Sequence, residues 1–119
     1  MQNKNIEEVL NYFNSGKFTI AEKKIAKLIK QFPNNYTLYN ILGSILVAQK
    51  NFDKAIINYK KSIQINPNYA MGYNNLAVIL VRLRKFDESI DNYQEAIKIK
   101  PDYVEAYNNL GLAFKEFGK

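Results

Sequence analysis

The chain has 119 residues, a net charge of +6, and neither histidine nor cysteine. That composition excludes disulfides, an imidazole base, a thiolate nucleophile and any transition-metal cluster built on those side chains. Its longest apolar run, Leu76–Val81, is six residues, far short of the roughly 18 that a membrane helix requires.

The three prolines, Pro33, Pro67 and Pro101, stand 34 residues apart. A period of this length predicts stacked helical units, none of which buries enough apolar surface to stand alone. The first copy, residues 2–35, is the most diverged. It keeps Phe18, Ala21 and Pro33 but has Asn5 and Glu8 where later copies have Tyr and Leu. In the second copy, residues 36–69, Tyr39, Leu42, Gly43 and Leu46 fall at i, i+3, i+4 and i+7, one stripe of a helix. Phe52, Ala55, Ile56, Tyr59 and Ile63 then repeat helical spacing in a second segment. The third copy, residues 70–103, aligns without a gap, matching Tyr73, Leu76 and Ala77, then Phe86, Ser89, Tyr93 and Ala96.

The fourth copy, residues 104–119, supplies Tyr107, Leu110 and Gly111 and stops at Lys119, where a second helix is due. Phe114 and Phe117 are therefore expected to be partly exposed. The polar stretch after Met1 and the stop within the motif predict the N-terminal part of a longer protein. Short polar joints, Ser15-Gly16-Lys17, Lys50-Asn51 and Arg84-Lys85, separate the paired helices. Asp53 and Asp87 fall where a carboxylate suits the exposed N–H groups of a helix start.

The recurring Tyr-x-x-Leu-Gly/Ala, later Ala or Ser, then Tyr, then Pro resembles the tetratricopeptide repeat (TPR) family over nearly the whole chain. The resemblance implies an all-α, right-handed solenoid of antiparallel helix pairs, about seven helices in a single domain. It also implies that a stripe on the first helix of each pair lines a concave surface that receives an extended protein segment. Carried onto this chain, that surface comprises Asn40, Ser44 and Val47, then Asn74, Asn75, Val78, Val81 and Arg82, then Asn108, Asn109, Leu112 and Lys115. Asn40, Asn74 and Asn108 recur at one repeat position, and an amide offers a donor and an acceptor to each peptide unit. This resembles the asparagine-lined groove of the O-linked N-acetylglucosamine transferase. By the same resemblance, Ile6, Leu10, Met71 and Asn75 stand where a clamp for acidic chaperone C-termini needs cations and amides, so no such clamp is expected.

Residues 2–35 and 36–69 each carry +3, while the rest is neutral. Lys23, Lys24 and Lys27 are the candidates for an acidic or nucleic-acid partner, but lysines on solvated faces are the simpler reading, and nucleic acid is not expected. Asp87, Glu88, Asp91 and Glu95 share one helix, at a spacing typical of a solvated face rather than a metal site. No catalytic group, metal or cofactor is expected, and the cysteine-free composition fits a cytoplasmic protein without a membrane partner. The expected function is a protein-interaction scaffold. The alternatives are self-assembly through residues 104–119 and a substrate-recruiting region of a larger enzyme.

Overall fold

In the computed structural model residues 2–118 are described; Met1 and Lys119 lie outside the described residues. The described residues form seven α-helices and no strand: α1 Gln2–Asn14, α2 Phe18–Gln31, α3 Tyr36–Ala48, α4 Phe52–Ile65, α5 Ala70–Arg82, α6 Phe86–Ile99 and α7 Val104–Phe117. The chain divides into two compact units, Met1–Ile65 and Asn66–Lys119.

The three polar joints are helix stops of one kind. After α1, the N–H of Gly16 bonds the Phe13 carbonyl and that of Lys17 bonds the Tyr12 carbonyl, at 3.0 and 2.9 Å. After α3, Lys50 bonds Val47 and Asn51 bonds Leu46, at 2.9 and 2.8 Å; after α5, Arg84 bonds Val81 and Lys85 bonds Leu80, both at 2.8 Å. This paired closure of orphan carbonyls requires a left-handed residue just past each helix. Gly16 holds that position at φ 77°, and Lys50 and Arg84 hold it at 62° and 59° against the clash of their own Cβ.

In the first unit, Val9, Ala21, Ile25, Leu28, Leu38, Ile41 and Ile45 form the buried core, with Ile6, Tyr12, Phe13 and Phe18 packed against it. α3 and α4 pack tightly where Gly43 lies under the Tyr59 ring: a Cβ there would sit 2.6 Å from Tyr59 Cε1. The buried Ser62 hydroxyl donates to the Tyr36 carbonyl at 2.8 Å. The Tyr39 hydroxyl donates to the Pro33 carbonyl at 2.8 Å, tying α3 to the turn before it.

The second unit repeats this with different small residues. Ala77, Tyr93, Ala96, Ala106 and Ala113 are its buried centre, with Tyr73, Val81, Tyr103 and Leu110 against them. The Ser89 hydroxyl donates to the Ala77 carbonyl at 2.9 Å, and Tyr73 reaches the Pro67 carbonyl at 3.1 Å. The repeat tyrosines here are thus packing and tethering groups. Tyr107, at the same repeat position on α7, is half exposed.

Candidate functional site

In the first unit α3 positions Asn40, Ser44 and Val47. Asn40 is buried, and Ser44 and Val47 are half-buried. The Ser44 hydroxyl lies 2.9 Å from the Tyr59 hydroxyl, so it is drawn toward α4. Burial raises the Tyr59 pKa above its usual value, and the bond to Ser44 partly opposes that rise.

In the second unit α5 and α7 bring one other expected residue, Asn109, against Asn74, which is 0% exposed. Its Nδ2 donates to Glu105 Oε2 at 3.0 Å, and its Oδ1 accepts from Asn109 Nδ2 at 3.4 Å. Tyr103, which caps the start of α7, also hydrogen-bonds Asn74. Its phenol is raised first by burial and then by the Glu105 charge, and is pulled back by Asn74. Tyr93 on α6 is pushed up to about 12 by burial, with Glu105 adding to it. Both phenols are neutral at physiological pH, so a single carboxylate carries the charge of this cluster.

Around the cluster, Val78, Arg82, Asn108, Leu112 and Lys115 are exposed, and Asn75, Val81 and Asn109 are half-buried. The asparagines of one repeat position therefore differ. Asn74 is enclosed, whereas Asn108 is exposed and its side chain makes no hydrogen bond among the described residues. The reason is packing: α7 covers Asn74, and among the described residues of the second unit none encloses Asn108 in the same way.

Sequence reading did not join Glu105 and Tyr103 to Asn74. The signal was present in the period, because Glu105 and Asn109 follow Asn74 by 31 and 35 residues, each within about one helical turn of the 34-residue repeat. The basic candidates separate as well. Lys23 and Lys27 are exposed, but Lys24 pairs with Glu8 at 2.8 Å and lies 5.5 Å from the centre of the Tyr12 ring. The hydrogen bond and charge of Glu8 raise the Lys24 pKa. Of the α6 carboxylates, Asp87, Glu88 and Asp91 are exposed and Glu95 is half-buried. Among the described residues no three such groups converge as a metal site, and no helix is long and apolar enough to cross a membrane.

Residues 43–84 and 79–118, more than half the chain, match the model of the TPR repeat, and the chain belongs to that family. It is similar to the first TPR domain of Spaghetti (RPAP3), solved bound to the HSP90 peptide SRMEEVD. That likeness has a TM-score of 0.92 at 22% identity, over 99% of this chain and 94% of that one. It is also similar to MamA, with a TM-score of 0.88 at 26% identity, over 98% of this chain and 68% of that one. A third similar structure is a mutant O-GlcNAc transferase of Thermobaculum terrenum, with a TM-score of 0.88 at 20% identity. This chain is 95% covered there but spans 22% of the transferase. No curated protein sequence matches the chain. With 228 matching chains of known structure, the fold alone selects no ligand.

Proposed function

We propose that the chain is a non-catalytic interaction module that holds an extended protein segment along the first-helix stripes of its repeats. The observation that carries this is the surface of α5 and α7. Apolar Val78 and Leu112 lie exposed beside the hydrogen-bonding and charged groups Asn108, Arg82 and Lys115, next to an internally satisfied amide cluster. Exposed apolar side chains among polar groups on rigid helices are what side-chain pockets for an extended chain require. Asn75, Val81 and Asn109 complete this strip, and Asn40, Ser44 and Val47 belong to the corresponding stripe on α3. Asn74 supports the strip from beneath. The RPAP3 domain solved with a peptide has the same fold, which adds weight to peptide binding as the mode.

The test is selection of random twelve-residue peptides displayed on phage against the immobilised chain, with a Val78→Asp/Leu112→Asp variant in parallel. Both substitutions are at exposed positions, so folding is retained and can be checked by circular dichroism. Peptides enriched by the wild type and lost by the variant are expected. No enrichment, or equal retention by both, would overturn the reading.

A second reading, self-assembly through α7, rests on its own observation. Tyr107, Phe114 and Phe117 are each about half exposed, and nothing lies within 4 Å of a Cβ built on Gly111. The equivalent Gly43 is covered by the Tyr59 ring. Sedimentation velocity across a concentration series tests it: growth in mass that Phe114→Glu abolishes supports assembly, and a constant monomer mass rejects it.

A further inference from the structure

We propose that Glu105 is a specificity determinant that selects a Lys or Arg side chain in the bound segment. The proposal rests on the peptide-binding reading and adds the chemistry of one subsite to it.

The repeat shows that this charge is not part of the fold's requirement. Thr37 and Met71 occupy the same repeat position, each opening its helix without a carboxylate. Only the last copy has an acid there. That acid is oriented: Oε2 accepts from Asn74 Nδ2 at 3.0 Å. Asn74 has no exposed surface, and Asn109 donates to its other end at 3.4 Å, so the amide is held with its NH2 toward Glu105. A carboxylate accepts at both oxygens, and one hydrogen bond leaves most of that capacity unused.

Glu105 is exposed, and among the described residues it pairs with no cation. The nearby Lys100 ammonium instead lies 4.8 Å from the centre of the Tyr103 ring. The cluster beneath Glu105 is otherwise neutral, with amides from Asn74 and Asn109 and phenols from Tyr93 and Tyr103. A fixed, unneutralised carboxylate at the surface of α7 is a receptor for a cationic side chain. An ammonium or guanidinium forms charge-assisted hydrogen bonds to it. A metal ion is not the ligand this geometry suits, because among the described residues no group of three carboxylates converges there.

Glu105→Gln separates recognition from structure. It retains a carbonyl oxygen for Asn74 but removes the charge, so the melting temperature should stay within about 2 °C. The same random peptide library is selected on wild type and on Glu105→Gln, with Glu116→Gln as the control for a general change in net charge. Recovered peptides are then resynthesised with their central Lys or Arg replaced by Gln, and Kd is measured by fluorescence anisotropy. Wild type and Glu116→Gln should enrich Lys or Arg at one position, and Glu105→Gln should not. Loss of either partner should weaken binding about tenfold, the effect of one charge-assisted pair. Enriched peptides without a basic preference, or a preference that survives Glu105→Gln, would overturn the role of Glu105 and leave peptide binding standing. If no peptide is enriched by any form, the underlying reading fails with it.

Discussion

Gly43→Ala and Gly111→Ala should change stability in opposite directions, although both glycines occupy the same repeat position. At Gly43 a methyl carbon would lie 2.6, 2.7 and 3.0 Å from Tyr59 Cε1, Cδ1 and Cζ, where ordinary contact begins at 3.4 Å. The ring is buried and its hydroxyl is anchored to Ser44 at 2.9 Å, so it cannot move aside freely. Overpacking of this kind costs about 1–3 kcal/mol, and loss of the Ser44 bond adds about 1. Better helix propensity returns about 1 kcal/mol, leaving a net loss of roughly 1–3 kcal/mol, or roughly 5–15 °C in Tm. At Gly111 nothing lies within 4 Å, so only the propensity gain remains, about 0.5–1 kcal/mol of stabilisation. Urea and thermal unfolding followed by circular dichroism at 222 nm measures both. If Gly43→Ala is neutral or stabilising, the close approach of α3 and α4 does not limit the packing and the reasoning fails.

Further outcomes are expected in the stability of the fold. Lys50→Gly should stabilise by up to about 1 kcal/mol in urea unfolding, because Lys50 sits at φ 62° where Gly16 serves in the first copy. Asn74→Ala should cost about 1–3 kcal/mol by stripping a buried amide from Glu105, Asn109 and Tyr103. Asn108→Ala should stay within about 0.5 kcal/mol in the same assay. Stability should also fall at high pH. The folded-state pKa of Tyr93 is raised from 10.0 to about 12, so its contribution is complete below the unfolded value and is lost as pH climbs through that interval. Tyr59, Tyr73 and Tyr103 shift in the same direction and add to the loss. Urea unfolding from about pH 9 to 12 should show this decline, and Tyr93→Phe should flatten it.

The amino-acid sequence by itself determined the helices and their spacing. Three prolines 34 residues apart, apolar stripes at helical intervals and polar joints after each first helix are local signals, because a helix turns by a constant angle and its ends depend on a few neighbouring residues. The expected helices and their stops accordingly coincide with α1 to α7 and with the turns at Gly16, Lys50 and Arg84. Phe114 and Phe117 are partly exposed, as the repeat pattern led one to expect. What a stripe faces was decided by tertiary structure. Asn74 and Asn108 are the same residue at the same repeat position, yet one is enclosed and the other open, because enclosure depends on the next helix. Ser44 turns toward α4 only because Tyr59 crosses Gly43 to meet it. The joining of Asn74, Tyr103, Glu105 and Asn109 depends on how far α7 slides along α5. Local periodicity sets a side chain's direction around its own helix but carries no information about that translation between helices.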